Sequence, residues 1–128
     1  MQPTAITLTV LKGPLAGQEY VFHEPAEYVL GRADECYPRL PDDYYHKDVS
    51  RRHCLFGVNP PEMWVQDLGS KNGTYVNGQN IGQRPSGDGE SGQLTSLPRE
   101  LLKDGDEIAL GGNVVFRVGV FIVEEVAV

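Results

Sequence analysis

Two consecutive prolines, Pro60-Pro61, constrain this chain more than any other pair of residues. Neither can donate a main-chain hydrogen bond, so no regular element runs through them. An apolar run, Cys54-Leu55-Phe56-Gly57-Val58, precedes them, and Met63-Trp64-Val65-Gln66-Asp67-Leu68 follows. Both are strand-length segments, and Asn59-Pro60-Pro61-Glu62 reads as the turn between them. Antiparallel pairing across that turn brings the outer ends of the two strands together. Those ends carry Ser50-Arg51-Arg52-His53 on one side and Gly69-Ser70-Lys71-Asn72-Gly73 on the other. Ser50, Arg51, Lys71 and Asn72 are therefore expected at one end of a sheet, in a combination suited to an anion.

The rest of the chain has the same texture. Ile6, Leu8 and Val10 alternate with Thr7 and Thr9, a period-2 strand. Gly13 to Gly17 is a turn, and Gln18 to Phe22 returns with Tyr20 and Phe22 on one face. Glu27 to Arg32 is a third strand ending in Gly31-Arg32, where a glycine lets another segment approach closely. Ala33 to Val49 has no periodicity, and a loop of that length is expected beside a binding site.

Asn77-Gly78 between Thr74-Tyr75-Val76 and Gln79-Asn80-Ile81 is a hairpin signal. Gly82 to Ser96 reads as an exposed, mobile insertion, near 82–104 in its full extent. Leu97 to Lys103 is expected to form one helical turn, with Pro98 at its first position. Val114 to Val123 is apolar on both faces, which suits the middle of a sheet. About eleven short strands and little helix predict an all-β, two-sheet sandwich, one domain over residues 1–128 with a core of about 5–123.

The formal net charge is -7 and the sequence pI about 4.8. That argues against general nucleic-acid or membrane-surface binding, which needs basic surfaces. It leaves room for a local basic pocket, since charges beyond roughly 8 Å are screened at physiological salt. The chain shows no signal-peptide pattern and no apolar stretch long enough for a bilayer, so a cytoplasmic setting is expected. Cys36 and Cys54 allow one disulfide arithmetically, but two cysteines are not a disulfide framework.

Gly31-Arg32, then Ser50-x-x-His53, then Asn72-Gly73-Thr74 followed by Asn77-Gly78, resembles the forkhead-associated (FHA) domain in order and spacing. The resemblance extends from about Ala5 to Val123. It implies an FHA/SMAD-like sandwich that binds phosphothreonine peptides through loops at one end. Arg32 would then contact the phosphate or the peptide backbone, and Ser50 would donate to a phosphate oxygen. Arg51 and Lys71 sit where such domains carry basic phosphate ligands, and Asn72 would bond the peptide main chain. His53 would brace the loop, with Gly31, Gly73 and Thr74 in structural support. The stretches Cys54 to Pro61, Gly78 to Arg84 and Leu102 to Glu107 look like FHA modules attached to bacterial Ser/Thr protein kinases. The implied partner is a phosphothreonine-containing protein, such as an autophosphorylated kinase or its substrate, with no cofactor.

The chemistry of these residue types fits that role. A phosphothreonine carries about -1.5 to -2 charge and strong acceptor oxygens. Arginine meets them with a planar fork, serine with a directional donor, and asparagine offers donor and acceptor to an extended backbone. Competing readings are weaker. Ser50, His53 and Asp48 lack a Gly-x-Ser-x-Gly nucleophile elbow, so catalysis is not expected. Cys36, His46, His53 and Cys54 fit no zinc spacing. Asn72-Gly73-Thr74 matches a glycosylation acceptor but reads more simply as a turn. The competing functional class is a scaffold of the same fold that binds a partner without phosphate.

Overall fold

A computed structural model describes residues 4–85 and 98–122. Among them the chain forms ten strands and no helix. In chain order these are β1 (Thr4–Val10), β2 (Glu19–Phe22), β3 (Ala26–Leu30), β4 (Cys54–Asn59), β5 (Glu62–Asp67), β6 (Thr74–Val76), β7 (Gln79–Gly82), β8 (Glu100–Leu101), β9 (Glu107–Leu110) and β10 (Val114–Ile122). They build a six-stranded sheet, β2-β1-β10-β9-β6-β7, and a four-stranded sheet, β3-β4-β5-β8. All named strand pairs are antiparallel.

The core lies between the two sheets. Ile6, Leu8, Phe22, Ile108, Leu110 and Phe116 face Leu30, Phe56, Met63 and Val65, all fully buried or nearly so. Each such side chain contributes roughly 1.5–3 kcal/mol by leaving water. The apolar β10 is central, with β1 paired along Thr4↔Ile122 to Val10↔Phe116 and β9 along its first half. The alternating pattern of β1 reaches its expected place, with Ile6 and Leu8 inside.

The β4–β5 pair forms around the proline turn as expected, in register from Cys54↔Asp67 to Asn59↔Glu62. The β6–β7 hairpin turns at Asn77 and Gly78, whose φ angles of 50° and 83° are both positive. A tight primed turn needs that sign at both positions, which is why Asn-Gly sits there.

The all-β, two-sheet sandwich is as expected, with ten strands among the described residues. Two further expectations need correction. The segment ending at Lys103 is not a helical turn: Glu100 and Leu101 pair with Val65 and Trp64 as an edge strand. The Leu102 N–H donates to the Met63 carbonyl at 3.0 Å, and the Leu102 side chain is buried. Pro98 is a local signal, and the burial of Leu102 against the open edge of β5 overrides it. The expected insertion near 82–104 is tied down at both of its described ends: Arg84 N–H donates to the Ser70 carbonyl of the β5–β6 loop at 2.8 Å, and Glu100 to Leu102 line β5. Residues 86–97, most of the expected insertion, and the end of the expected core at Val123 lie outside the described residues. Among the described residues, no helix is long and apolar enough to cross a membrane.

Candidate functional site

Three loops meet at one end of the sandwich: the long β3–β4 loop, the β5–β6 loop and the β9–β10 turn. The segment Asp48-Val49-Ser50-Arg51 is their common strut. Gly31 makes this meeting close. A Cβ on Gly31 would lie 2.2 Å from the Arg51 carbonyl oxygen and 2.8 Å from that of Ser50. The N–H groups of Arg32 and Ala33 donate to the Ser50 and Arg51 carbonyls at 3.3 and 2.9 Å. The close approach expected of Gly31 is therefore to the segment that carries the site.

The rest of the β3–β4 loop is held from both flanks. Tyr37 packs edge-on against Phe22 and Tyr20, each with ring centroids 5.8 Å apart. The Leu40 side chain is buried, and the Tyr45 hydroxyl donates to the Asn113 carbonyl at 2.9 Å. Asp43 accepts from the His46 N–H at 3.0 Å and contacts His46 Nδ1 at 2.6 Å. The hydrogen bonds from His46 hold the Asp43 carboxyl below its ordinary range.

The expected site residues converge on this strut. Arg32 is half-buried, and its Nε donates to the Val49 carbonyl at 2.6 Å. Its Nη1 is ion-paired with Asp42. The Ser50 hydroxyl oxygen accepts the Lys71 N–H at 3.1 Å, which ties the first loop to the second. Asn72 Nδ2 donates to the Asp48 carbonyl at 3.0 Å. Arg51 contributes its carbonyl to the packing against Gly31, while its side chain and that of Lys71 are exposed. Arg52, the second guanidinium of the pair, is drawn away into an ion pair with Glu35.

His53 lies behind the strut and is bonded to both loops. It is fully buried. Its Nδ1 accepts the Ser50 N–H at 3.0 Å and its Nε2 donates to the Gly73 carbonyl at 2.8 Å. That pairing requires the neutral ring with the proton on Nε2. Burial holds its pKa below the ordinary value of 6.5, against the opposing pull of the Gly73 carbonyl and Asp67. Because His53 takes the main-chain N–H of Ser50, it is not placed as a base for the Ser50 hydroxyl.

Sequence reasoning missed the centre of this support. Asp67 is buried at the end of β5. It accepts from the N–H groups of Gly69 and Ser70 at 2.8 and 3.0 Å and from the Ser70 and Thr74 hydroxyls at 2.5 and 2.7 Å. Ser70 Oγ in turn accepts the Gly73 N–H at 3.0 Å. Gly73 has φ of 91°, a value that glycine alone adopts freely. One hydrogen-bonded chain therefore runs from Asp67 through Ser70, Gly73 and His53 to Ser50, and Thr74 joins it at Asp67. The signal for it was an aspartate followed two and three residues on by Gly-Ser, the pattern of a side chain that caps its own turn. Asp42 was missed as well, since an exposed aspartate in a loop gives no sign of its partner.

Beside Asn72 lies an open cavity of about 390 Å³, lined by Asp48, Asn72, Tyr75, Gly78, Ala109 and two glycines of the β9–β10 turn. The two cysteines, Cys36 and Cys54, are both free and buried. Among the described residues no cluster of three or more His, Cys, Asp or Glu side chains could hold a metal ion.

Comparison with known proteins places this geometry. The FHA domain family matches residues 28–111. The chain is 36% identical over 115 residues to an oxoglutarate dehydrogenase inhibitor of Corynebacterium efficiens, covering 88% of this chain and 65% of that protein. It is 39% identical over 69 residues to the FHA domain-containing protein FhaB of Mycobacterium tuberculosis, covering 54% of this chain and 41% of the relative. The chain thus spans less than two thirds of the length of these relatives. Among solved structures, an FHA domain studied for phosphothreonine-dependent interactions is 29% identical with a TM-score of 0.65, covering 90% of this chain and 95% of the other.

Proposed function

The chain belongs to the FHA domain family, and from that premise we propose that it is a phosphothreonine-peptide reader in Ser/Thr kinase signalling. Arg32, Ser50, Arg51 and Lys71 bind the phosphate, and Asn72 holds the peptide main chain. The observation that carries the reading is the convergence of these residues on one strut. Arg32 Nε, Lys71 N–H and Asn72 Nδ2 bond successively to Val49, Ser50 and Asp48. Two exposed cationic side chains, Arg51 and Lys71, flank the same strut. An acidic chain of net charge -7 thereby presents a small cationic rim to one doubly charged group.

The mechanism is recognition rather than chemistry. The Ser50 hydroxyl accepts from Lys71 N–H, so its own proton is free to be donated to a phosphate oxygen. Arg32 is oriented by the Val49 carbonyl, which spares part of the ordering cost when phosphate arrives. Asn72 is anchored through its Nδ2, leaving its carbonyl oxygen to accept a peptide N–H. The cavity past Asn72 would take a flanking side chain of the ligand. The ligand's source is a phosphorylated kinase or a kinase substrate, and the module acts by occupancy, as a regulator, with no catalysis of its own.

Titration with paired phosphothreonine and unphosphorylated peptides from a degenerate library tests this. Phosphorylation is expected to tighten binding at least tenfold, and Arg32→Ala and Ser50→Ala are expected to abolish that dependence. Equal affinity for the two peptide forms would remove the reading and favour a phosphate-independent scaffold.

A further inference from the structure

Of the three cationic side chains at the site, Arg32 differs from Arg51 and Lys71 in already holding an anion. Its guanidinium is ion-paired with Asp42, which lies in the β3–β4 loop. We infer that Asp42 is a built-in stand-in for the ligand's phosphate, which the phosphate must displace from Arg32. This deepens the reading of the site as a phosphate reader and rests on it.

Three observations determine the sign of the effect. First, Asp42 is not needed to aim Arg32. The guanidinium is planar, and its Nε is already fixed on the Val49 carbonyl at 2.6 Å. Second, Asp42 is free to leave. Its side chain is 54% exposed and among the described residues it bonds to Arg32 alone, whereas the neighbouring Asp43 is tied to His46 by two contacts. Third, the exchange is unequal in charge. A carboxylate of one charge yields to a phosphate of about -1.5 to -2, which also reaches Ser50, Arg51 and Lys71.

The consequence is a threshold on entry. A carboxylate-bearing segment would exchange one carboxylate for another at Arg32 and gain almost nothing there. A phosphate dianion gains despite the exchange. Asp42 therefore sets how strong an anion must be to occupy the site, at the expense of absolute affinity. An exposed pair of this kind is worth up to about 1 kcal/mol, so its removal should tighten phosphopeptide binding roughly three- to fivefold.

The test uses one phosphothreonine peptide and its unphosphorylated twin at fixed ionic strength, titrated into wild type, Asp42→Asn, Asp42→Ser, Asp42→Glu and Asp34→Asn. Asp34 lies in the same loop but pairs with Arg39, so its variant removes the same charge while leaving Arg32 occupied. Both neutral Asp42 variants are expected to bind the phosphopeptide roughly three- to fivefold more tightly. Asp42→Glu and Asp34→Asn should stay within about twofold of wild type, with all thermal midpoints close together. Unchanged or weaker binding by Asp42→Asn and Asp42→Ser would overturn the inference and make Asp42 a positioning residue. An equal gain in Asp34→Asn would overturn it in favour of general charge repulsion. A wild type that ignores phosphorylation instead sinks the phosphate reading itself, so the two failures are distinct.

Discussion

The main-chain N–H of Lys71 donates to the Ser50 hydroxyl oxygen at 3.1 Å, joining two loops that are distant in sequence. The bond uses the oxygen and leaves the hydroxyl proton for a ligand. Ser50 is therefore a fastening between loops and, under the proposed function, also the donor to a phosphate oxygen. Ser50→Ala should cost roughly tenfold or more in phosphopeptide affinity and about 1 kcal/mol in stability. Lys71→Ala, which keeps its main-chain N–H, should weaken binding by only a few-fold and leave stability unchanged. Isothermal titration beside thermal melts of the two variants separates these outcomes.

Gly31→Ala should damage the site without touching a ligand-binding side chain. The added methyl would sit 2.2 Å from the Arg51 carbonyl oxygen, a main-chain atom with no rotamer to escape into. Overpacking of this kind costs about 1–3 kcal/mol. Relief requires the Ser50-Arg51 segment to move away from Arg32, so affinity should fall together with stability. Urea denaturation and titration of the same variant check both, and a variant as stable as wild type would contradict the packing.

Asp67→Ala should be the most destabilising change near the site. It strands the N–H groups of Gly69 and Ser70 and removes the acceptor for the Ser70 and Thr74 hydroxyls. Loss of such a buried acceptor costs about 3 kcal/mol or more, against roughly 1 kcal/mol for Thr74→Val, which removes one bond. Urea midpoints should fall in that order with unchanged m-values.

Stability should decline in mild acid because of His53. Its folded pKa is depressed by burial from 6.5, so the folded state disfavours the proton. The contribution is therefore complete above pH 6.5 and is lost as pH falls from there through the folded value. A protonated Nδ1 can no longer accept the Ser50 N–H, so the site should loosen in the same window. Ligand-free thermal midpoints measured from pH 7.5 to 5 check this apart from the ligand, whose own phosphate titrates near pH 6. In His53→Gln the slope in that window should flatten.

What could be read from the chain was what depends on local chemistry. Asn77-Gly78 announces a primed turn because few residues tolerate positive φ, and both residues adopt it. Pro60-Pro61 announces the β4–β5 turn, and from it the nearness of Ser50 to Lys71 followed. The Leu97–Lys103 segment went the other way. Pro98 speaks for a helix start, but the decision lay with an unfilled edge of β5 and a buried place for Leu102, neither of which local sequence encodes. Asp67 and Asp42 show the same limit from opposite sides. Neither aspartate announces its fate in the sequence, yet one is buried under four donors and the other sits exposed on Arg32. Which becomes which is set by the fold.

The pairing of Thr4 with Ile122 has a consequence for where such a module can be labelled. β10 leaves the binding loops at Val114 and reaches Ile122 eight residues later, about 26 Å away at the rise of a β-strand. Thr4 is beside it, so the outer ends of β1 and β10 lie at the pole opposite Ser50 and Lys71. A fluorescent label placed at Thr4 or Ile122 would therefore sit clear of the loops that carry those two residues.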